Sequence, residues 1–191
     1  MIDSRRNWQL ASILIFALSV WAITLIAFSY PYIIDQLGLA PRDTTRWWGI
    51  VTMAFVHGDM AHLIANTAPL LVLLFLLQVR CSDTFLGLWV SSMVLAGVLL
   101  WACGRSGLHI GASGLVFALF GIHIANGIFN RTLIDVLIAI VVGFAYWGML
   151  AGVLPTQSGV SWEGHLLGLI AGIVCSWLFR KRSQQPEEIP G

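Results

Sequence analysis

Ser113 stands in Gly111-Ala112-Ser113-Gly114, a small-residue turn that closes a polar loop and opens an apolar stretch running to Phe129. A serine hydroxyl is a weak nucleophile and needs a base, and imidazole is the side chain whose pKa suits that work near neutral pH. The candidate base is His165, in Ser161-Trp162-Glu163-Gly164-His165-Leu166-Leu167-Gly168. Attack on a carbonyl also requires donors for the oxyanion. His57-Gly58-Asp59-Met60-Ala61-His62-Leu63-Ile64-Ala65-Asn66 can supply them, because with Asp59 as a helix N-cap, His62 and Asn66 lie at i and i+4 on one face. Ser113 itself opens a helix, where free backbone N–H groups and the dipole favour developing negative charge. Glu163 is two residues from His165 on a different face and cannot orient it, so a dyad is implied.

These residues must be positioned by an unusually apolar chain. Of 191 residues, 58% are hydrophobic and only 10% charged, which marks an all-α polytopic membrane protein. Six runs can cross a bilayer, at about 8–30, 60–79, 84–103, 113–129, 132–150 and 161–179. They leave no room for a soluble domain or a nucleic-acid module. The expected organisation is one six-span catalytic membrane domain over residues 1–182 and a short polar cytoplasmic tail at 183–191. The first run, with its 23 uncharged residues, exceeds the apolar core of a signal peptide and is expected to be retained. Three cysteines, Cys81, Cys103 and Cys175, have neither disulfide nor metal spacing.

With a cytoplasmic N-terminus, Arg5, Arg6, Arg80, Arg131, Arg180, Lys181 and Arg182 fall inside and Arg42, Arg46 and Arg105 outside. That asymmetry obeys the positive-inside rule and predicts that both termini are cytoplasmic. The second, fourth and sixth spans then run from outside to inside. His62 with Asn66, Ser113, and His165 each begin one of them, so all lie at one depth below the outer surface. Gly114, Ala118, Gly121 and Ala125 form a smooth stripe on the fourth span, and Gly164, Gly168 and Gly172 form another on the sixth, where His165 shares the face of Gly168 and Gly172. The two stripes predict direct packing of serine helix on histidine helix.

The remaining polar residues read as structural. Arg46-Trp47-Trp48 suits a headgroup anchor. Pro69 is expected to bend the second span. His109, in the glycine-punctuated loop from Gly104 to Ile110, is expected to face solvent, and His123 to be a hydrogen-bonded packing residue. Asp135, Tyr146 and Trp147 are expected at the membrane interfaces.

Taken together, Gly111-x-Ser113-Gly114, His165-x-x-Gly168-x-x-x-Gly172, and His57 with His62 and Asn66 resemble the rhomboid family of intramembrane serine proteases. The resemblance runs from Arg46 to Gly172 and implies that family's six-transmembrane-helix bundle. It implies Ser113 as nucleophile, His165 as base, and His62, Asn66 and the Ser113 N–H around the oxyanion. Arg46-Trp47 matches the family's pattern in the first outer loop, Trp147 falls where the fifth helix gates substrate, and the loop from Gly148 to Ser161 would cap the site. Phe117 stands where relatives often carry a tyrosine stacked on the histidine, so the ring is kept without its hydroxyl. The implied activity is cleavage of transmembrane segments of membrane proteins near the outer face, in a bacterial inner (plasma) membrane, with membrane lipid as the surrounding partner and neither cofactor nor metal. The alternatives are a catalytically silent relative that binds client helices, and a six-span transporter or haem protein. A transporter would place its polar groups at the midplane rather than near one surface.

Overall fold

A computed structural model describes residues 2–155 and 161–180. Residues 156–160 of the expected cap, Lys181 and Arg182 of the charge bias, and the tail at 183–191 lie outside the described residues. Six long helices form the bundle: α1 (Ile2–Ser29), α4 (Met60–Arg80), α5 (Phe85–Cys103), α6 (Ser113–Phe129), α7 (Leu133–Ala145) and α8 (Trp162–Phe179). The connection after α1 carries two short helices, α2 (Tyr32–Leu37) and α3 (Gly49–Thr52), and 3-10 turns at Thr44–Arg46 and Met53–Phe55. Among the described residues there is no strand, only an isolated bridge between Leu39 and His109. The fold is an all-α membrane bundle. Among the described residues four helices are long and apolar enough to span a bilayer, or five if α7 and the bent segment after it form one span.

The fifth span departs from expectation. Rather than one helix over 132–150, α7 stops at Ala145 and continues, after a 68° bend, as the 3-10 segment Trp147–Val153. Hydropathy is continuous across the break, but Tyr146 leaves the helical region at φ −110°, ψ 18°, and Gly148 and Gly152 weaken helical propensity beyond it. Seven residues is long for a 3-10 stretch, a form that often marks a hinge.

α6 is the axis of the bundle. Its 17 residues would rise only about 26 Å, short for a bilayer, but 13 of them are buried, so protein rather than lipid surrounds this helix. Its most extensive contact is with α8. A methyl group on Gly168 or Gly172 would collide with the carbonyl oxygens of Gly114 and Ala118, and one on Gly121 would lie 2.6 Å from the Leu169 oxygen. The backbones therefore touch, the arrangement by which membrane helices associate without a hydrophobic driving force.

α4 runs without interruption through Pro69. Two ion pairs, each with a buried carboxylate and a partly or largely exposed guanidinium, tie the bundle together. Arg80 at the end of α4 meets Asp135 at 2.8 Å, and Arg105 before α6 meets Glu163 at 2.8 Å. Asp135, in the first turn of α7, also accepts from Thr132 and Asn130, so its carboxylate is buried among the helices. His123 donates or accepts at Nε2 with the Leu73 carbonyl, 3.0 Å away; since that oxygen only accepts, Nε2 carries the proton.

Candidate active site

The N-terminal ends of α4, α6 and α8 meet around one cavity of about 940 Å³ lined by His62, Asn66, Ser113, Phe117 and His165, among others. Its floor is fixed by capped helix starts. Asp59 accepts from the His62 N–H at 2.7 Å, and the Ser161 hydroxyl accepts from the Gly164 N–H at 3.2 Å, as the cap residues predict.

Ser113 is the first residue of α6, and the first intrahelical bond there runs from Val116 to Ala112. The preceding turn is held from below. Gly111 donates to the Met53 carbonyl at 2.9 Å, and the Ala112 N–H donates to Nε2 of His57 at 3.2 Å. Gly111 has φ +106°, and an added Cβ would sit 2.8 Å from the His62 ring, so a side chain there is excluded by both backbone and space. His57 is fully buried. Its Nε2 accepts from Ala112, so its proton is on Nδ1, facing the Thr24 hydroxyl at 3.2 Å, and Thr24 in turn donates to the Phe55 carbonyl. Burial, and then the neighbouring His62 ring, pushes the His57 pKa down to about 4, so the ring stays neutral.

The glycine seam brings His165 against α6. Its Nε2 lies 2.9 Å from the Ser113 hydroxyl, and its ring stacks on Phe117 with centroids 4.3 Å apart and planes 9° from parallel. The other nitrogen, Nδ1, lies 2.9 Å from the carbonyl of Gly152. A carbonyl only accepts, so Nδ1 carries the proton and the lone pair of Nε2 is left for the serine. Sequence reasoning missed Gly152 altogether.

Asn66 is buried and its Nδ2 donates to the His62 carbonyl at 3.0 Å, and the His62 ring lies edge-on to His57 with centroids 4.9 Å apart. Gly114, Gly168 and Gly172 form the seam. Trp147 is 71% exposed, and Gly148, Met149, Ala151 and Gly152, which follow it, line the cavity. Arg46 is spent on the Asp43 carboxylate and the Asp35 carbonyl, and so braces its own loop.

His109 corrects the expectation of a solvent-facing ring. It is 8% exposed, with Nδ1 2.7 Å from the Ser161 hydroxyl and Nε2 3.0 Å from the Arg105 carbonyl. Together with Arg105–Glu163 it fastens the loop before α6 to the cap of α8. Its partner lies 52 residues away in sequence, so local composition gave no sign of it.

The fold and site together define an integral membrane protein with a serine–histidine pair under one end of its helices. The chain belongs to the rhomboid family: the Rhomboid domain model matches residues 44–182. An uncharacterised protein of Mycobacterium tuberculosis is 36% identical over 185 residues, covering 91% of this chain and 77% of the relative. YdcA of Bacillus subtilis, a protein provisionally named a rhomboid protease, is 23% identical over 193 residues and 93% of each chain. Rhomboid-like protein 11 of Arabidopsis thaliana is 30% identical over 152 residues, 71% of this chain and 53% of its own.

Proposed function

We propose that the protein is a serine endopeptidase that cuts transmembrane segments of other membrane proteins near the outer face of a bacterial inner (plasma) membrane, both of its own termini being cytoplasmic. The observation that carries this reading is the Ser113 hydroxyl 2.9 Å from Nε2 of His165, whose Nδ1 donates to the Gly152 carbonyl. His165 Nε2 takes the hydroxyl proton as the serine oxygen attacks the scissile carbonyl, and the resulting imidazolium returns that proton to the departing amine. Water then attacks the acyl-enzyme, giving its proton to Nε2. The second product leaves as a carboxylic acid and Ser113 regains its hydrogen.

The oxyanion forms beside the start of α6. The Ser113 N–H has no intrahelical acceptor there, and His62 and Asn66 line the same cavity. One hydrogen of the Asn66 amide is used within α4, which leaves the second for the oxyanion. The site lies inside a ring of helices, so a target must leave its own helix and approach as an extended strand, beside α7 and Trp147–Val153. Targets with Gly or Pro near the outer end of their span and small residues at the cut are favoured.

The deciding experiment is labelling of the purified protein in lipid with a fluorophosphonate serine probe. Labelling at Ser113 that is lost in His165→Ala supports the peptidase. A wild-type protein that stays unlabelled would replace it with a silent, client-binding membrane domain.

A further inference from the structure

We propose that the backbone carbonyl of Gly152 orients His165 in the place usually held by a carboxylate, and that it does so only while the Trp147–Val153 segment lies against the cavity. The inference rests on the peptidase reading and adds a coupling between the movable wall of the site and its base.

A neutral imidazole carries one proton, and its two tautomers are close in energy until a partner chooses between them. Only the form with a bare Nε2 can receive the proton of Ser113. Gly152 makes that choice, because its oxygen, 2.9 Å from Nδ1, cannot donate. Among the described residues no carboxylate bonds to His165: Glu163, the acid nearest in sequence, is turned to Arg105 with both of its oxygens. Once the imidazolium forms, the same oxygen faces its charge.

The carbonyl belongs to a wall of the site that is only partly buried. Trp147–Val153 follows a 68° break, contains no buried residue, and has open space around Gly148. Met149 and Leu150 pack against the core only as half-buried side chains, so opening this segment costs less than parting the α6–α8 seam. At Gly152 the fit is close all the same. An added Cβ would lie 2.9 Å from Nδ1 of His165 and 3.3 Å from the Phe117 ring. Glycine therefore lets the backbone itself reach the stacked pair. Swinging the segment outward to admit a substrate withdraws the acceptor, and the base is set again when the segment returns over the bound strand.

The test reads the tautomer directly. Full-length protein, labelled with nitrogen-15 in its histidine rings and held in lipid bilayers at about pH 8, where an ordinary imidazole is neutral, is compared by solid-state NMR with His165→Ala to assign the ring. His165 should show a protonated Nδ1 and a bare Nε2. Gly152→Ala should shift it toward the opposite tautomer and lower kcat by about 10-fold with KM little changed, the size expected for losing one buried hydrogen bond. Because an alanine can also disturb folding, a backbone ester is made by replacing Val153 with its α-hydroxy acid. This weakens the Gly152 carbonyl as an acceptor while keeping every side chain, and kcat should fall by about 3-fold or more. The same ester at Ala151, weakening the Leu150 carbonyl, controls for damage to the segment and should have less effect. A wild-type ring protonated at Nε2, or a Val153 ester indistinguishable from the Ala151 control in both tautomer and kcat, would overturn the inference. Failure of the peptidase reading is separable, since it appears as absent probe labelling at Ser113 whatever the tautomer.

Discussion

Along α6 and α8 no side chain separates the two backbones at Gly114 with Gly168 or at Ala118 with Gly172, whereas Trp147–Val153, which lines the same cavity, buries none of its residues. α7 itself buries only Asp135 and Val142. One wall is a seam closed to a methyl group and the other is a panel resting on a bend. The difference teaches where this fold spends its rigidity: on the distance between Ser113 and His165. It leaves compliance to the side by which a polypeptide would arrive.

The comparison breaks most visibly at Ser113 and His165, the pair proposed to react, both carried by the rigid wall. Ser113→Ala or His165→Ala should reduce cleavage of a transmembrane substrate to background, measured against matched amounts of folded protein. Activity surviving in Ser113→Ala would remove that serine from the chemistry. Next in size is the seam itself. Gly172→Ala drives a methyl into the Ala118 carbonyl and should cost about 1–3 kcal/mol of stability, as overpacking generally does. A thermal-denaturation midpoint in detergent equal to that of wild type would mean that the backbones are not in contact there.

Smaller effects sharpen the contrast. Loss of one oxyanion donor costs on the order of 100- to 1000-fold in a soluble serine protease. Asn66→Ala should fall short of that, since the Ser113 N–H and His62 remain, and a full wild-type rate would return Asn66 to a packing role. On the compliant wall, Trp147→Ala should hold or raise the cleavage rate. A substantial drop with the protein still folded would show that the panel is as demanding as the seam. The smallest effect concerns pH. His57 is neutral with a pKa of about 4 against 6.5 for an ordinary histidine, so the unfolded chain takes up a proton before the folded one does. Its contribution to stability is full above pH 6.5 and declines as pH falls toward 4. His57→Gln should flatten that part of the melting-temperature profile relative to wild type.

Much of this was legible beforehand. The glycine and alanine stripes announced the contact of α6 with α8, and the caps Asp59 and Ser161 announced where two helices begin, because small side chains and caps act through local spacing. Gly152 was not legible, since a carbonyl acceptor belongs to every residue and leaves no mark in the side-chain pattern. Arg80 with Asp135 and Arg105 with Glu163 are separated by 55 and 58 residues, and only the assembled bundle pairs them. The break after Ala145 was hidden by unbroken hydropathy, although the density of glycine at 143, 148 and 152 was a usable signal.

The seam also works as a gauge of length. Ser113 immediately precedes Gly114, and His165 lies three residues before Gly168, the glycine that receives the Gly114 carbonyl. Sliding one helix past the other by a single residue would displace the pair by about 1.5 Å along the axis, half of the 2.9 Å that joins oxygen to nitrogen. It would also bring a side chain to a point where only hydrogen fits. A register slip would thus be opposed by collision within a turn of the pair, and a chain that closes its seam has set the spacing of Ser113 and His165.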